Sequence, residues 1–111
     1  MIPSEIASRA AELVGGNRAQ THGNYRTNHQ NIAALWTTWL RLRFPQSPVC
    51  LTITAHDVAV MMNFLKCART LTGTHNVDDA VDACGYSAIA GALREHDAGI
   101  ADKILAGETK A

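Results

Sequence analysis

The chain has 111 residues, of which 47% are hydrophobic and 18% charged, and its ten basic residues balance its ten acidic ones. This hydrophobic fraction excludes a disordered chain, and the zero net charge argues against a general nucleic-acid binder, which needs a basic surplus to displace counterions from phosphates. No apolar stretch approaches the ~20 residues that span a bilayer. We therefore expect one soluble domain over 1–111, with a core at about 4–105 and a frayed tail at 107–111.

Two helices are predicted in the first half of the chain. Ser4 can cap a helix over about 5–14, which two glycines then end. The polar stretch at 17–27 has little periodicity and is predicted to be a loop. A second helix is predicted over about 28–43, because apolar residues recur at helical spacing along one stripe that we expect to be buried: Ile32, Leu35, Trp36, Trp39, Leu40 and Leu42. We assign the two tryptophans to the core, with a subunit interface as the alternative.

The second half of the chain predicts two or three further helices. Thr54 can cap a third helix over about 55–71, with the acidic residue three positions later completing a capping box. This helix is apolar on most sides, which predicts a central position with neighbours on several sides. Asn76 can cap a fourth helix over about 77–95, and Asp97 a short final one. The predicted fold is all-α, a compact bundle of four to five helices.

The most unusual polar residues lie on the third and fourth helices. Lys66 and Arg69 are i, i+3 neighbours on an otherwise apolar helix. Asp82 stands among apolar residues, where a carboxylate needs a cation, a metal ion or donated hydrogen bonds. One interpretation is a buried salt bridge between the two helices. The other is a pocket for a phosphorylated small molecule, in which arginine grips phosphate bidentately and lysine acts as a point charge. Both predict that Lys66 or Arg69 lies near Asp82.

Further ligand-binding candidates come from the polar stretch and the fourth helix. Asp79 and Asp82 are i, i+3 neighbours whose carboxylates could share a divalent ion such as Mg²⁺. A tyrosine could stack on a base, and the alternative for the polar stretch is a solvated surface loop. The complete set of predicted ligand-binding residues is His22, Asn24, Tyr25, Asn28, Lys66, Arg69, Asp82 and Tyr86, with His29 as a further loop candidate.

The cysteines and the chain length bear on compartment and assembly. The three cysteines are odd in number and lack C-x-x-C spacing, and no signal peptide is apparent, so we expect reduced packing cysteines in a cytoplasmic protein. A domain this short buries only about two-thirds of its unfolded surface. We therefore expect a homo-oligomer, in which copies complete one another's cores.

Three segments combine motifs that are weak singly and specific together. They read H-G-N-Y-R-T-N-H-Q-N-I-A-A-L-W at 22–36, D-V-A-V-M-M-N-F-L-K-C-A-R at 57–69 and V-D-D-A-V-D-A-C-G-Y-S-A-I-A at 77–90. The combination resembles a family of small phage and prophage proteins of unknown function, whose members carry a Y-G-D or H-G-D loop. Asn24 replaces the aspartate of that loop. The resemblance implies a phage-encoded protein that acts in the host cytoplasm.

The acidic fourth helix is more distantly similar to a metal-binding helix of the all-alpha nucleoside triphosphate pyrophosphohydrolases, the MazG-like superfamily. That resemblance implies Mg²⁺ held by E-x-x-E on one helix and E-x-x-D on a later one, and Asp79 and Asp82 could fill the second motif. The first motif has no counterpart, because 28–31 reads N-H-Q-N. Two-metal phosphoryl chemistry needs several carboxylates, so we expect a nucleotide to be bound rather than hydrolysed.

Three functional hypotheses follow. The leading one is a phage-type helical homo-oligomer that binds a nucleotide-derived phosphorylated ligand, and sequestering a host immune nucleotide signal would be one use of such binding. The second is a Mg²⁺-dependent nucleotide pyrophosphohydrolase that uses Asp57, Asp79 and Asp82. The third is a protein-interaction module with no small ligand, in which the charged residues only specify packing.

Overall fold

The computed structural model describes residues 1–16, 24–48 and 51–107. Four helices lie in these ranges: α1 (Pro3–Gly15), α2 (Tyr25–Arg43), α3 (Ala55–Arg69) and α4 (Val77–Leu105). The same ranges contain no β-strand, and none of their helices is long and apolar enough to cross a membrane. The predicted all-α bundle is confirmed, with four helices.

Helix α4 is the element against which the bundle is built. Helices α1 and α3 both pack against α4, and α2 packs against α3. The core cluster between α3 and α4 consists of Ala59, Ala90 and Leu93, with Tyr25 and Ile89 packed against it. Alanines at this contact allow the two helix backbones to approach closely, because they carry no side chain beyond Cβ.

The predicted starts of α3 and α4 are confirmed. The Thr54 hydroxyl accepts a hydrogen bond from the Asp57 backbone N–H at 3.1 Å, and the Asp57 carboxylate accepts one from the Thr54 N–H at 2.9 Å. This reciprocal capping box satisfies two donors that a helix start otherwise leaves without partners. The Asn76 side chain caps α4 in the simpler way, accepting from the Asp78 N–H at 3.0 Å.

The predicted starts of α1 and α2 are wrong. Helix α1 begins at Pro3, whose fixed φ suits the first helical position, so Ser4 lies inside the helix and does not cap it. Helix α2 begins at Tyr25 rather than at residue 28. Its cap is Asn24, whose side chain accepts from the Arg26 N–H at 2.7 Å. Polar residues after a good cap can form a helical turn, and the lack of apolar periodicity concealed this one.

The ends of the last two helices also differ from the prediction. Helix α3 ends at Arg69, two residues early, where the Thr70 hydroxyl donates to the Cys67 carbonyl at 2.6 Å. Helix α4 runs without a break through Leu105, so Asp97 starts no separate helix. Asp97 and Gly99 are both exposed, and an exposed helix interior tolerates such weak helix formers at a small cost.

The stripe predicted to be buried on α2 is exposed along much of its length. The exposed fractions are 69% for Leu35, 61% for Trp39 and 78% for Leu42. The residues of α2 that are buried are His29 and Ala33, on a neighbouring face. Three members of the predicted stripe are half-buried: Ile32, Trp36 and Leu40.

Helix α3 packs against both α2 and α4, but part of its apolar surface is exposed within a single chain. Val58 and Ala59 are fully buried, whereas Met61, Phe64 and Leu65 are exposed. Helix α3 thus has two neighbouring helices, while the prediction that its remaining apolar residues are also covered is not met within one chain. The helical periodicity identified the apolar residues of α3, but it did not show which of their side chains are buried within one chain.

The prediction that the cysteines pack in the core is wrong for the two that the structure describes. Cys67 and Cys84 are free and exposed. Cys50 lies outside the described residues, as do residues 108–111 of the predicted tail.

Replacing Gly99 by alanine tests the continuity of α4. Gly99 lies within the helix without a positive φ, and a Cβ there meets nothing within 4 Å. Gly99→Ala should therefore raise the free energy of unfolding by about 0.5–1 kcal/mol in urea titrations followed by circular dichroism. Gly73 has equal space but a φ of +77°, so Gly73→Ala should lower it by about 1 kcal/mol. Destabilisation by Gly99→Ala would mean that the helix breaks near Asp97.

Candidate functional site

An ion pair joins α3 to α4, and both interpretations of the sequence predict this proximity. The Lys66 Nζ lies 2.9 Å from the Asp82 Oδ2, and the two side chains are only 13% and 21% exposed. The other ion pair among the described residues joins Arg9 to Asp78 at 3.0 Å, with side chains 42% and 58% exposed. The Lys66–Asp82 pair is therefore much less screened by water than the Arg9–Asp78 pair.

A second polar contact lies beside this ion pair. The Asn63 side-chain amide donates to the Ser87 hydroxyl at 2.6 Å, which again links α3 to α4. The Cys67 thiol donates weakly to the Asn63 side-chain Oδ1 at 3.7 Å. Asn63 and Ser87 are not among the predicted site residues. Spacing could have identified Asn63, because it precedes Lys66 by one helical turn on an otherwise apolar helix.

On α4, the turn after Asp82 carries Tyr86, which contacts α2. The ring of Tyr86 meets the ring of His29 edge to face, with centroids 6.2 Å apart and an interplanar angle of 61°. His29 is only 7% exposed, and its Nδ1 lies 2.7 Å from the Tyr25 carbonyl oxygen. A carbonyl can only accept, so Nδ1 donates, and in the neutral ring Nε2 carries a lone pair.

Two buried nitrogen atoms at the start of α2 have no hydrogen-bond partner among the residues that the structure describes. They are Arg26 Nε and His29 Nε2, which belong to residues one turn apart. Buried polar atoms in native proteins nearly always have a partner, because an unsatisfied one costs about 1–3 kcal/mol. Arg26 is not among the predicted site residues. Recognising Asn24 as the cap would have placed Arg26 in the first helical turn, with His29 one turn later.

The remaining predicted ligand-binding residues are less closely grouped. Asn24 is exposed, and its side chain is occupied in capping α2. Asn28 is half-buried on α2. Arg69 is exposed at the last turn of α3 and forms no ion pair with any described residue. His22 lies outside the described residues.

The predicted Asp79–Asp82 metal pair has its two residues one turn apart on α4. Asp79 is half-buried, and Asp82 is the partner of Lys66. Across the described ranges, no group of three or more histidine, cysteine or acidic side chains is gathered as metal ligands. The geometry of this region is thus that of an enclosed cation–carboxylate pair.

The fold and site together define a small helical protein with an enclosed ion pair between two of its helices. The chain belongs to the DUF6378 family, a domain of unknown function, whose model matches residues 5–94. It is 37% identical over 84 residues to the Gene 55 protein of Mycobacterium phage L5. The aligned region covers 76% of this chain and 49% of that protein. The chain thus spans about half the length of this curated relative. No solved structure matches it.

These comparisons confirm the predicted resemblance to phage proteins of unknown function. The more distant similarity to the pyrophosphohydrolases stays a prediction.

A double-mutant cycle should separate the two ion pairs. Removing one partner of Lys66–Asp82 leaves an enclosed charge without its counter-ion, so Lys66→Met or Asp82→Asn alone should cost about 1–3 kcal/mol of unfolding free energy. The double variant should recover part of this loss, giving a coupling energy of about 1 kcal/mol or more. The matched control is Arg9→Met with Asp78→Asn, where we expect at most about 0.5 kcal/mol. Equal couplings would contradict the difference in enclosure.

Proposed function

We propose that this phage-type protein binds a nucleotide-derived phosphorylated ligand between α2, α3 and α4. The proposed site, called the polar cluster below, consists of Arg26, His29, Lys66, Asp82 and Tyr86. The observation that supports this most directly is the pair of buried nitrogens without partners, Arg26 Nε and His29 Nε2. They lie on the helix that contacts Tyr86, one turn along α4 from the ion-paired Asp82. A ligand with both acceptor and donor groups would satisfy both nitrogens.

The cations of the cluster suit a phosphate group. Lys66 has three ammonium donors, of which one is directed at the Asp82 carboxylate, so two can reach phosphate oxygens. The Arg26 Nε–H is a further donor, and Arg69 follows Lys66 by three residues on the same helix. Charge-assisted hydrogen bonds of this kind are about twice as strong as neutral ones.

The aromatic side of the cluster suits a nucleobase. The His29 Nε2 lone pair can accept from an exocyclic amino group, which the bases adenine, guanine and cytosine carry. Tyr86 and Tyr25 supply aromatic faces, and stacking of a base on such a face is worth about 1–3 kcal/mol. A ligand with a base at one end and a phosphate at the other matches both halves of the cluster.

The phage relationship suggests how such binding would be used. A phage protein that binds a host immune nucleotide without cleaving it would lower the free concentration of that signal by mass action. We propose this anti-defence role in the host cytoplasm, carried out by a homo-oligomer. Magnesium-dependent hydrolysis and a purely protein-binding role are the outcomes that the experiment below must distinguish from it.

Thermal-shift measurements with a nucleotide panel test the proposal. The panel contains mononucleotides, cyclic nucleotides and ADP-ribose derivatives, with and without Mg²⁺, and each sample is then analysed for ligand breakdown. A ligand at ~100 times its dissociation constant should stabilise the protein by about 2.7 kcal/mol and raise Tm by several degrees. Arg69→Ala should weaken binding about tenfold or more by calorimetry, because it removes a phosphate donor. Arg94→Ala, which removes an exposed arginine elsewhere on α4, is the matched control and should bind normally.

The other outcomes each have a definite meaning. No shift with any nucleotide would overturn the proposal and favour the protein-interaction module. A shift accompanied by Mg²⁺-dependent breakdown would make the protein a pyrophosphohydrolase. If Arg69→Ala and Lys66→Met both bind the ligand as strongly as wild type does, the ligand binds elsewhere on the chain.

A further inference from the structure

The exposed apolar residues of α2 follow the spacing of a helix–helix seam. Ile32, Leu35, Trp39 and Leu42 are separated by three, four and three residues, which is the a/d pattern of a heptad repeat. The last three are 61–78% exposed, and Ile32 is half-buried. We call these four residues the α2 seam. Such a row on one face of a helix fits between the side chains of a second helix that has the same pattern.

The surface area of the chain indicates how much of it a partner would cover. A folded monomer of 11.9 kDa exposes about 6,000 Å² by the size scaling of globular proteins, whereas this chain exposes 8040 Å². The excess is about 2,000 Å² per chain, or about 4,000 Å² for two chains, and permanent homodimer interfaces bury about 2,000–5,000 Å² in total. A second copy of the same chain carries an equal excess.

We propose that a second copy of this chain docks on the α2 seam, with the two α2 helices antiparallel across a twofold axis. In a twofold contact the same patch is used by both copies, and a row of apolar residues on one helix is complementary to itself. Pairing about the middle of the seam sets Trp39 against Leu35 of the partner subunit. A large aromatic at the centre of an interface is the side chain that most often dominates its binding energy.

The charges of α2 favour the antiparallel direction. The helix carries Arg26, Arg41 and Arg43 and no acidic residue. A parallel pair would bring the arginines at the C-terminal end of each helix together. An antiparallel pair in this register sets Arg41 and Arg43 near residues 31–33 of the other copy, which carry no charged side chain. Like charges are then kept apart, and the two helix dipoles are also opposed favourably.

This inference gives a surface to the self-association proposed above and does not depend on the ligand. The seam lies apart from the buried face of α2, on which His29 sits. The exposed face of α3, formed by Met61, Phe64 and Leu65, is the alternative surface for a second copy. The experiment therefore includes a variant on each face.

Sedimentation equilibrium at several concentrations tests the α2 seam, with circular dichroism to confirm that each variant is folded. Wild type should have about twice the chain mass of 11.9 kDa. Leu42→Glu should raise the dimer dissociation constant about tenfold or more, because it buries a charge in the seam. The matched control is Leu105→Glu, at an 86% exposed leucine outside the seam, which should remain dimeric.

Further variants decide the face and the direction. Phe64→Glu should leave the dimer intact, and Arg43→Gln should leave its dissociation constant unchanged in the antiparallel arrangement. A monomeric wild type at about 100 µM, or a dimer broken by Phe64→Glu and not by Leu42→Glu, would overturn the proposal. Tighter association in Arg43→Gln would refute the antiparallel direction, because only a parallel pair gains from losing that charge. Nucleotide binding is measured separately, so either proposal can fail alone.

Discussion

The close approach of α3 and α4 is the contact on which the remaining features depend. Ala59 is fully buried and Ala90 is 9% exposed at this contact, with Leu93 completing the cluster. Small side chains let two helices lie near each other, and only at short separation can side chains such as Lys66 and Asp82 meet across the gap. These small side chains also limit how much the core stabilises the fold, because alanine buries little apolar area and gains correspondingly little free energy.

This thin core leaves a single chain with two unmet physical demands. One is polar: two nitrogens at the start of α2 are buried without hydrogen-bond partners in the described part of the chain. The other is apolar, since large side chains on α2 and α3 are exposed in rows rather than singly. The two demands call for different partners. A polar ligand meets the first and a helix face meets the second, so the two proposals rest on separate observations and on separate faces of α2.

The sequence predicted contacts between residues that are close along the chain, but it did not predict which apolar helix faces are buried. The caps at Thr54 and Asn76 depend on residues within three positions of each other, so the sequence contains everything that determines them. Enclosure of Asp82 required a cation, for which the apolar helix offered Lys66 and Arg69, and the structure pairs it with Lys66. By contrast, periodicity shows that Leu35 and Trp39 share a face but not which surface covers that face. The orphan nitrogens of α2 could not be predicted, because burial of a polar atom depends on packing between helices that are distant in sequence.

The energetics of the Lys66–Asp82 pair bear on why an ion pair lies there at all. Enclosing two charges costs desolvation that their attraction roughly offsets, so an apolar pair of similar volume would serve stability equally well. The pair does fix an ammonium group in position, and a fixed donor loses little rotamer entropy when it binds a ligand. If the pair only specified packing, the unpartnered nitrogens on α2 would need a separate explanation. One base-and-phosphate ligand accounts for both with a single molecule, which is why we prefer the binding hypothesis to the purely structural one.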